Sequence, residues 1–547
     1  MAPFRQRRVN RHPRGEHKAL MNHLIHDSIF ETARRTPDAE ALAYGAARCT
    51  YAELAAQVQA VAACLLAQGL GPGDRVAVYM EKRIENVAAM FGAAAAGCVF
   101  VPVNPLLKPD QVAYILADCQ VAVLATTAER LAQLAPALER CPDLGAVLLA
   151  RGAAAPVAAG RLPQLAWPEA VPDAAAAQPH RRIDNDVAAI LYTSGSTGAP
   201  KGVVLSHRNM VTGAASVAAY LGLRADDRVL VVLPLSFDYG LSQLTTCFLR
   251  GACAVLMNYL FPKDIVAAVA RERITGLAAV PPLWIALARL DWPADCTLRF
   301  ITNSGGSMPV VTVEALRAAL PAVQVFLMYG LTEAFRSTYL PPDQVGQRPG
   351  SIGRAIPNAE VLVVRPDGSL CDDGEPGELV HRGALVSLGY WNDPARTAQR
   401  FRPVPGQNPA LPLTELAVWS GDTVYRDQDG YLYFIGRSDD MIKVSGYRVS
   451  PTEIEAVLHQ TGLVTEVAAF GIDDPELGQA VAIVAVPADP AAADAAILLA
   501  ECRRRLPAYM VPARIDLRAD ALPRNPNGKI DRNLLRQTLT SEKQAAS

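Results

Sequence analysis

The segment Leu191-Tyr-Thr-Ser-Gly-Ser-Thr-Gly-Ala-Pro-Lys-Gly202 says more about this fold than any other stretch of the chain. It continues the apolar run Val187–Leu191, which predicts a buried strand. From Thr193 to Gly202 it holds three glycines, four hydroxyl side chains and one lysine. Glycine lets the backbone approach a ligand, hydroxyl groups add hydrogen-bond donors, and lysine adds a mobile positive charge. These features predict a phosphate-binding loop, whereas a flexible surface linker is the alternative.

Two common nucleotide-binding motifs are missing from the sequence. No Gly-x-x-x-x-Gly-Lys-Ser/Thr spacing occurs, and no Gly-x-Gly-x-x-Gly sequence follows a strand. The loop therefore favours ATP binding of a different type.

Composition and charge exclude several kinds of function. The 547 residues are too many for one compact core, so roughly two to four domains are expected. A net charge of −2 gives no field that would attract nucleic acid, and no stretch is long and apolar enough for an integral membrane span. Ten cysteines without disulfide or metal-site spacing favour a reducing, cytoplasmic location. Residues 1–21 are basic and predict a disordered extension.

The remaining chain alternates between helical and strand-like segments. Strands are predicted at Arg75–Met80, Val99–Val103, Val121–Ala125, Val187–Tyr192, Val229–Leu233, Ala254–Met257, Leu277–Val280, Phe300–Thr302 and Val325–Met328. This order indicates an α/β fold with layered, largely parallel sheets, in which ligands gather beyond the carboxyl ends of strands. Three further loops follow such strands: Pro234–Gly240, Asn303–Pro309 and Tyr329–Glu333.

Two changes of texture divide the chain into domains. After residue 350, short strands separated by Asp-Gly and Glu-Pro-Gly turns indicate a β-rich subdomain at 350–436. Near residue 436 strands and helices begin to alternate again. We therefore predict a large N-terminal domain at 22–436 and a small, mobile α+β C-terminal domain at 437–547.

Six more segments accompany the phosphate loop, in this order along the chain: Asn303-Ser-Gly-Gly-Ser-Met-Pro309, Tyr329-Gly-Leu-Thr-Glu333, Gly377-Glu-Leu-Val-His-Arg-Gly383, Trp419-Ser-Gly-Asp422, Gly436-Arg-Ser-Asp-Asp-Met-Ile-Lys-Val-Ser-Gly-Tyr-Arg448 and Asn527-Gly-Lys529. Together they resemble the adenylate-forming superfamily of acyl-CoA synthetases, luciferases and peptide-synthetase adenylation domains. The resemblance implies that a carboxylic acid attacks the α-phosphorus of ATP, and that a thiol then takes the acyl group. Because two anions approach each other, catalysis would rest on positioning and positive charge.

The resemblance also implies a role for each matching residue. The phosphates would be held by Thr193, Ser194, Gly195, Ser196, Thr197, Gly198 and Lys201. Thr332 would contact the α-phosphate, and Glu333 would bind Mg²⁺, which prefers carboxylate and phosphate oxygens. The residues that would contact the adenosine are Gly305, Gly306, Tyr329, Asp422 and Arg437.

The C-terminal domain would supply the last catalytic residue and the thiol channel. Lys529, in a Pro-Asn-Gly-Lys turn, would bridge the carboxylate and the α-phosphate. Asp439 matches the family's hinge, where a few residues absorb the swing between the two half-reactions. The same swing would bring Ser445, Gly446 and Tyr447 to the active site, and Gly446 would leave room for a pantetheine arm.

The acid pocket would be formed by Phe237, Asp238, Tyr239, Gly240, Ser242, Gly306, Met328, Leu331 and Trp284. In amino-acid-activating relatives, an aspartate at the position of Asp238 binds the substrate ammonium. A buried carboxylate costs free energy unless it is paired, so Asp238 favours an amino acid or a polar acyl chain over a plain fatty acid. Alternatively, Asp238 turns outward and accepts from a backbone N–H.

Three segments narrow the resemblance further: Phe100–Pro109, Pro234–Gln243 and Gly330–Tyr339. They look like the AMP-forming acyl-CoA ligases associated with exosortase A systems. We therefore predict an AMP-forming acid–thiol ligase that uses ATP, Mg²⁺ and coenzyme A. The first alternative loads a proline-like amino acid onto the phosphopantetheine of a carrier protein. The second is a catalytically inactive nucleotide-binding scaffold, although the presence of both Lys201 and Lys529 argues against it.

Overall fold

The computed structural model describes residues 23–152, 162–169, 178–193, 200–306, 308, 310–437, 442–449, 451–489, 494–523, 530 and 532–545. The basic extension predicted at 1–21 lies outside these residues. The helices, in chain order, are α1 Asp27–Arg35, α2 Tyr51–Ala67, α3 Ile84–Ala96, α4 Pro109–Asp118, α5 Ala128–Leu134, α6 His207–Tyr220, α7 Asp238–Arg250, α8 Pro262–Arg271, α9 Pro281–Leu287, α10 Val310–Ala319, α11 Pro394–Arg400, α12 Pro451–Gln460, α13 Ala495–Arg505 and α14 Arg532–Ala545. Short 3-10 helices run Ala135–Arg140 and Ala508–Met510.

The strands, in chain order, are β1 Glu40–Tyr44, β2 Ala47–Thr50, β3 Arg75–Tyr79, β4 Val99–Pro102, β5 Val121–Thr126, β6 Ala146–Leu149, β7 Gln164–Leu165, β8 Val187–Thr193, β9 Lys201–Ser206, β10 Arg228–Val231, β11 Cys253–Leu256, β12 Gly276–Ala279, β13 Phe300–Asn303, β14 Gln324–Leu331, β15 Phe335–Leu340, β16 Ser351–Ala355, β17 Ala359–Val364, β18 Gly377–Gly383, β19 Phe401–Pro403, β20 Leu416–Arg426, β21 Leu432–Arg437, β22 Ile442–Val444, β23 Tyr447–Val449, β24 Val464–Asp474, β25 Gly478–Pro487 and β26 Arg514–Leu517.

The first sheet has the strand order β7-β6-β5-β3-β4-β8-β9. Its strands are parallel except for the hairpin of β8 and β9, in which Thr193 pairs with Lys201. Apolar residues such as Val101, Leu124 and Ile190 fill the core on one side of this sheet. The phosphate loop predicted from the sequence therefore connects two antiparallel neighbours at the sheet edge.

The second sheet has fourteen strands and mixes both directions. Strands β1, β11, β10, β12, β13 and β14 are parallel neighbours, whereas β15, β16, β21, β20, β18 and β17 continue the sheet with antiparallel pairing. The β-rich segment after residue 350 is thus an extension of the main sheet. Strand β14 runs to Leu331, into the segment Tyr329–Glu333 that was predicted to be a loop. It extends this far because Leu331 pairs with Phe335 of β15.

The C-terminal domain has its own sheet, with the order β23-β22-β25-β24 and β26 parallel to β25. Ile454 and Leu458 of α12 pack with Cys502 of α13 in one core, while Leu535 and Leu539 of α14 pack with Phe470 in another. The predicted α/β fold with a small α+β C-terminal domain is confirmed. Strand β21 ends at Arg437, one residue beyond the predicted boundary, and the next sheet begins at Ile442. No helix among the described residues has the length and hydropathy needed to cross a membrane.

Candidate active site

Several predicted loops meet because their strands are neighbours. Strands β14, β13, β12 and β10 lie side by side in the main sheet, and the segments that follow β14, β13 and β10 reach one cavity of about 250 Å³. The predicted site residues that line this cavity are Thr193, Phe237, Asp238, Tyr239, Gly305, Gly306, Met328, Tyr329, Leu331, Thr332, Asp422, Gly446 and Tyr447. Ligand sites of parallel α/β sheets lie in the same place.

At one side of the site, Lys201 and Glu333 form a buried ion pair. The Lys201 ammonium donates to Oε1 of Glu333 at 2.8 Å and to the hydroxyl oxygen of Tyr390 at 2.8 Å. The Tyr390 hydroxyl in turn donates to the same Glu333 oxygen at 2.7 Å. The side chains of Lys201 and Glu333 are 11% and 3% exposed, so both charges interact in a poorly solvated environment.

Tyr390 reaches this pair because a distant segment lies along β9. The backbone of Val204 pairs with Gly389, and the amide of Trp391 donates to the carbonyl of Gly202 at 2.7 Å. The Tyr390 ring then lies 4.3 Å from the Lys201 nitrogen. Sequence reasoning missed Tyr390, because it lies outside every motif used and only tertiary pairing brings it to the site.

Two hydroxyl groups lie at the same side of the site. Thr332, 6% exposed, lines the cavity between β14 and Glu333. Thr193 Oγ1 is buried without a hydrogen-bond partner among the described residues. The other predicted phosphate ligands, Ser194, Gly195, Ser196, Thr197 and Gly198, lie outside the described residues. A buried hydroxyl and a lysine at the ends of this hairpin suit an anionic ligand.

A turn after β13 lines the part of the cavity where adenosine binding is predicted. Asn303 donates from its side-chain amide to the carbonyl of Gly306 at 3.2 Å, and Gly305 has a φ of 81°. Across the cavity, the hydroxyl of Tyr329 donates to Oδ2 of Asp422 in β20. Glycines on one wall and an aromatic ring on another leave a flat space that suits a base and a ribose.

Behind Tyr329 lies His381, a residue to which sequence reasoning gave no role. The two rings are 6.0 Å apart and stacked at 17°, and neither ring nitrogen of His381 has a partner among the described residues. Burial lowers the pKa of His381 to about 4, although Asp422 and Glu333 act in the opposite direction. The imidazole is therefore neutral near pH 7. Its position within the quoted motif Gly377–Gly383 was the available signal.

Asp238 faces the cavity and interacts with Arg336, a third residue that sequence reasoning missed. Oδ2 of Asp238 lies 3.6 Å from Nη1 of Arg336, and Nη2 of Arg336 donates to the Asp238 carbonyl at 3.3 Å. Their side chains are 11% and 2% exposed. Asp238 is therefore not turned outward, and its charge is already balanced. Its position within the quoted segment Gly330–Tyr339 was the signal in the sequence.

Three residues predicted for the acid pocket lie elsewhere. Trp284 is fully buried, and its indole N–H lies within hydrogen-bond distance of backbone carbonyls at Ala279 and Thr302. A side chain at Gly240 would place its Cβ 2.0 Å from the carbonyl oxygen of Pro234, so this glycine serves helix packing. Ser242 lies on a small separate cavity of about 20 Å³ behind Asp238 and donates to a backbone carbonyl.

The C-terminal domain closes the cavity with the turn between β22 and β23. Gly446 has a φ of 84°, and a Cβ there would lie 2.5 Å from Cγ1 of Val280. Its carbonyl also lies close to Gly305, since a Cβ on Gly305 would be 3.8 Å away. Ser445 precedes it with a φ of 49° and does not line the cavity. Tyr447 does, and its ring stacks on Tyr509 with centroids 3.9 Å apart.

A second contact between the domains involves Glu453, which was also missed. Gln111 of α4 donates to Oε1 of Glu453 at 2.9 Å. Glu453 lines the cavity at the start of α12, and burial raises its pKa to about 7. The carboxyl group of Glu453 thus becomes buried where the small domain meets the large one.

Three predicted residues of this region have no described side chain. Arg437 is placed by its backbone alone, opposite Asp422 in the pairing of β20 with β21. Asp439 and Lys529 lie outside the described residues. Their assigned roles stay predictions.

The donor set fits Mg²⁺ only together with phosphate. Among the described residues, no group of three His, Cys, Asp or Glu side chains could hold a metal ion. Glu333 offers one buried carboxylate. The buried Thr193 hydroxyl belongs to the residue that pairs with Lys201 in the hairpin of β8 and β9. Mg²⁺ is commonly held by one or two carboxylates together with substrate phosphates and water, and this arrangement is of that kind.

Known proteins match both domains. The chain matches the family model described as AMP-binding enzyme over residues 29–391, and the AMP-binding enzyme C-terminal domain over residues 453–529. Feruloyl-CoA synthase of Amycolatopsis sp is 33% identical over 504 residues, which cover 91% of this chain and 95% of that protein. Tyrocidine synthase 3 of Brevibacillus parabrevis is 32% identical over 519 residues, which cover 93% of this chain but 8% of that protein.

The solved structures agree with these sequence matches. The o-succinylbenzoate CoA synthetase of Bacillus subtilis, in a structure bound with its product analogue OSB-NCoA, superimposes with a TM-score of 0.80 at 27% identity. The match covers 93% of this chain and 98% of that one. It therefore includes the cavity and the small domain above it.

Proposed function

Because this chain belongs to the AMP-binding enzymes, a family of adenylate-forming ligases, we propose that it joins a carboxylic acid to the thiol of coenzyme A with conversion of ATP to AMP and pyrophosphate. In the first half-reaction the acid's carboxylate would attack the α-phosphorus and pyrophosphate would leave. In the second, the thiol would attack the acyl carbon and AMP would leave. No protein nucleophile is needed for either step.

One observation supports the thiol step above all others. The glycine turn of the small domain lies at the cavity, with the backbone of Gly446 against Val280 and near Gly305. We infer that a passage for a narrow chain runs beside this turn, where Gly446 lines the cavity without a side chain. A pantetheine arm is such a chain, and the arrangement is the one expected for acyl transfer.

For the first half-reaction, the ion pair of Lys201 and Glu333 matters most, and its members directly follow Pro200 and Thr332, which line the cavity. Glu333 would hold Mg²⁺, which neutralises phosphate charge when bound. Lys201 would exchange its contact with Glu333 for the phosphates, while Tyr390 keeps the Glu333 carboxylate oriented through its 2.7 Å hydrogen bond. Lys529 would be brought in by the small domain's other orientation. Preorganised charges of this kind stabilise a transition state in which negative charge concentrates.

The acceptor separates the proposal from its main alternative. Coenzyme A is favoured because feruloyl-CoA synthase matches along 95% of its length, whereas the tyrocidine synthase match spans 8% of a much longer protein. A carrier-protein phosphopantetheine remains the second candidate, since the same narrow passage would admit it. The finer grouping with exosortase A ligases rests on the three segments quoted above.

Two assays with one variant test the proposal. The enzyme should exchange labelled pyrophosphate into ATP when given the right acid, and should form a thioester with coenzyme A. Lys529→Ala should lower exchange by roughly a hundredfold or more, as expected when a preorganised charge is removed, while thioester formation from supplied acyl-adenylate persists. Unchanged exchange in that variant contradicts the assigned role, and no exchange with any acid favours the inactive scaffold.

A further inference from the structure

The acid side of the cavity contains two opposite charges in direct contact. Arg336 on β15 is almost fully buried, and its guanidinium carbon lies 3.9 Å from the ring centre of Phe335 and 5.1 Å from that of Tyr239. Both rings therefore interact favourably with the guanidinium charge. Asp238, on the first turn of α7, faces the same space.

The hydrogen bonds of Arg336 are incomplete. Its closest approach to the Asp238 carboxylate is 3.6 Å, longer than a hydrogen bond, and its Nε has no partner among the described residues. Buried guanidinium groups normally use their donors, because an unsatisfied buried donor costs free energy. Because Nε is enclosed, the donor offered to a ligand is Nη1, which lies next to the Asp238 carboxylate on a residue that lines the cavity.

The balance of charge decides which acids suit this wall. A lone ammonium would compete with Arg336 for Asp238 and be repelled by it, so the amino-acid interpretation loses its main support. A second carboxylate on the acid would be repelled by Asp238. A plain hydrocarbon chain would leave the buried donor of Arg336 unsatisfied. A neutral group that both accepts and donates a hydrogen bond satisfies both residues at once.

We propose that Asp238 and Arg336 together select an acid carrying a neutral hydroxyl or amide group, with the oxygen accepting from Arg336 and the O–H or N–H donating to Asp238. This inference rests on the proposed ligase function and names its substrate class. A hydroxyl and an amide share the required chemistry, and the experiment separates them.

The test is a pyrophosphate-exchange panel on the full-length enzyme with acids of equal chain length. Its members are the unsubstituted acid, the hydroxy acids substituted at successive carbons, the corresponding N-acetylated amino acid, the free amino acid and the dicarboxylic acid. A site built to hydrogen-bond a substrate group discriminates strongly against analogues that lack it. We expect kcat/KM for one hydroxy or amide acid to exceed that of the unsubstituted acid by about 100-fold or more.

Variants separate selection from a purely structural role. Asp238→Leu combined with Arg336→Met removes both charges and leaves no unpaired ion, which proteins often tolerate. The preference for the polar acid should then fall below about 10-fold. Arg83 and Glu85 form a comparable partly buried pair away from the cavity, with 2.9 Å between Nε and Oε2. Replacing those two with Met and Leu should leave the preference unchanged.

Each outcome has a definite meaning. Preference for the polar acid that the double variant loses supports the inference. Equal exchange with the unsubstituted acid, or preference for the free amino acid or the dicarboxylic acid, overturns it while leaving the ligase function standing. A preference that survives in the double variant also overturns it. If none of the acids in the panel supports pyrophosphate exchange, the ligase function itself is contradicted. If the double variant does not fold, as judged by thermal melting, the wild-type panel still decides.

Discussion

Replacing Gly446 with alanine should uncouple the two half-reactions. This glycine has a φ of 84°, and its Cβ would lie 2.5 Å from Cγ1 and 2.9 Å from Cβ of Val280. Val280 is 7% exposed and packed in the main core, so it cannot easily move aside. The clash exists only while the small domain rests on the cavity as it does here.

The size of the effect follows from two costs. A left-handed backbone costs a non-glycine residue about 1–2 kcal/mol, and overpacking a tight contact costs about 1–3 kcal/mol more. The strain is the same in both orientations of the small domain, so the overpacking term alone disfavours this arrangement, by about 1–3 kcal/mol, which corresponds to a roughly 5-fold to 150-fold loss of thioester formation. Pyrophosphate exchange should stay within about threefold of the wild type, because the turn then lies away from Val280.

A matched glycine controls for backbone strain. Gly462 lies in the same domain with a φ of 70° and no atom within 4 Å of its added Cβ, so Gly462→Ala carries the strain without the clash. It should retain thioester formation, and Val280→Ala should restore part of the loss in Gly446→Ala. The assay compares pyrophosphate exchange with thioester formation from supplied acyl-adenylate. Equal loss of both half-reactions, or no loss of either, would refute the reasoning.

Three other changes have defined outcomes. Tyr390→Phe removes a hydrogen bond to a charged carboxylate and should lower kcat/KM for exchange about 10-fold or more, with thioester formation unaffected; an unchanged exchange rate would exclude a role for the hydroxyl. The raised pKa of Glu453 means that the closed arrangement holds an extra proton, so the ratio of thioester formation to exchange should fall as pH rises from about 4.5 through about 7. Glu453→Gln should flatten that profile, and an identical profile in both enzymes would contradict the assignment. His381 takes up a proton below about pH 6.5 in the unfolded chain but only near pH 4 in the folded protein. The free energy of unfolding should therefore drop by about 3 kcal/mol as the pH falls from about 6.5 to about 4. Chemical denaturation of His381→Gln should show a shallower drop; an equal slope would mean that the imidazole is protonated in the fold.

The strands were largely predictable from the sequence because apolar runs such as Val187–Leu191 need no knowledge of their neighbours. The ends of strands were less predictable. Strand β14 continues to Leu331 because β15 pairs with it, and an eight-residue strand containing Gly330 has no clear local signal. The joining of the β-rich segment to the main sheet likewise depends on pairing between β15 and β16, which the order of residues does not reveal.

The site residues were likewise only partly predictable from the sequence. The composition of the phosphate loop pointed to Lys201 and the family resemblance to Glu333. Neither pointed to their direct ion pair or to the hydroxyl of Tyr390, which depends on a segment that lies along β9. Arg336 lies within the quoted segment Gly330–Tyr339, although its contact with Asp238 required the fold. The structure places Asp238 beside Arg336, and its predicted role toward an amino acid or a polar acyl chain stays a prediction.

The central claim is that the acid's own carboxylate attacks the α-phosphorus of ATP. The most direct measurement uses an acid labelled with oxygen-18 in its carboxylate, chosen as one that supports pyrophosphate exchange, together with coenzyme A. Mass spectrometry of the products should find one labelled oxygen in AMP and none in pyrophosphate. Label in orthophosphate, with ADP as the nucleotide product, would contradict the account.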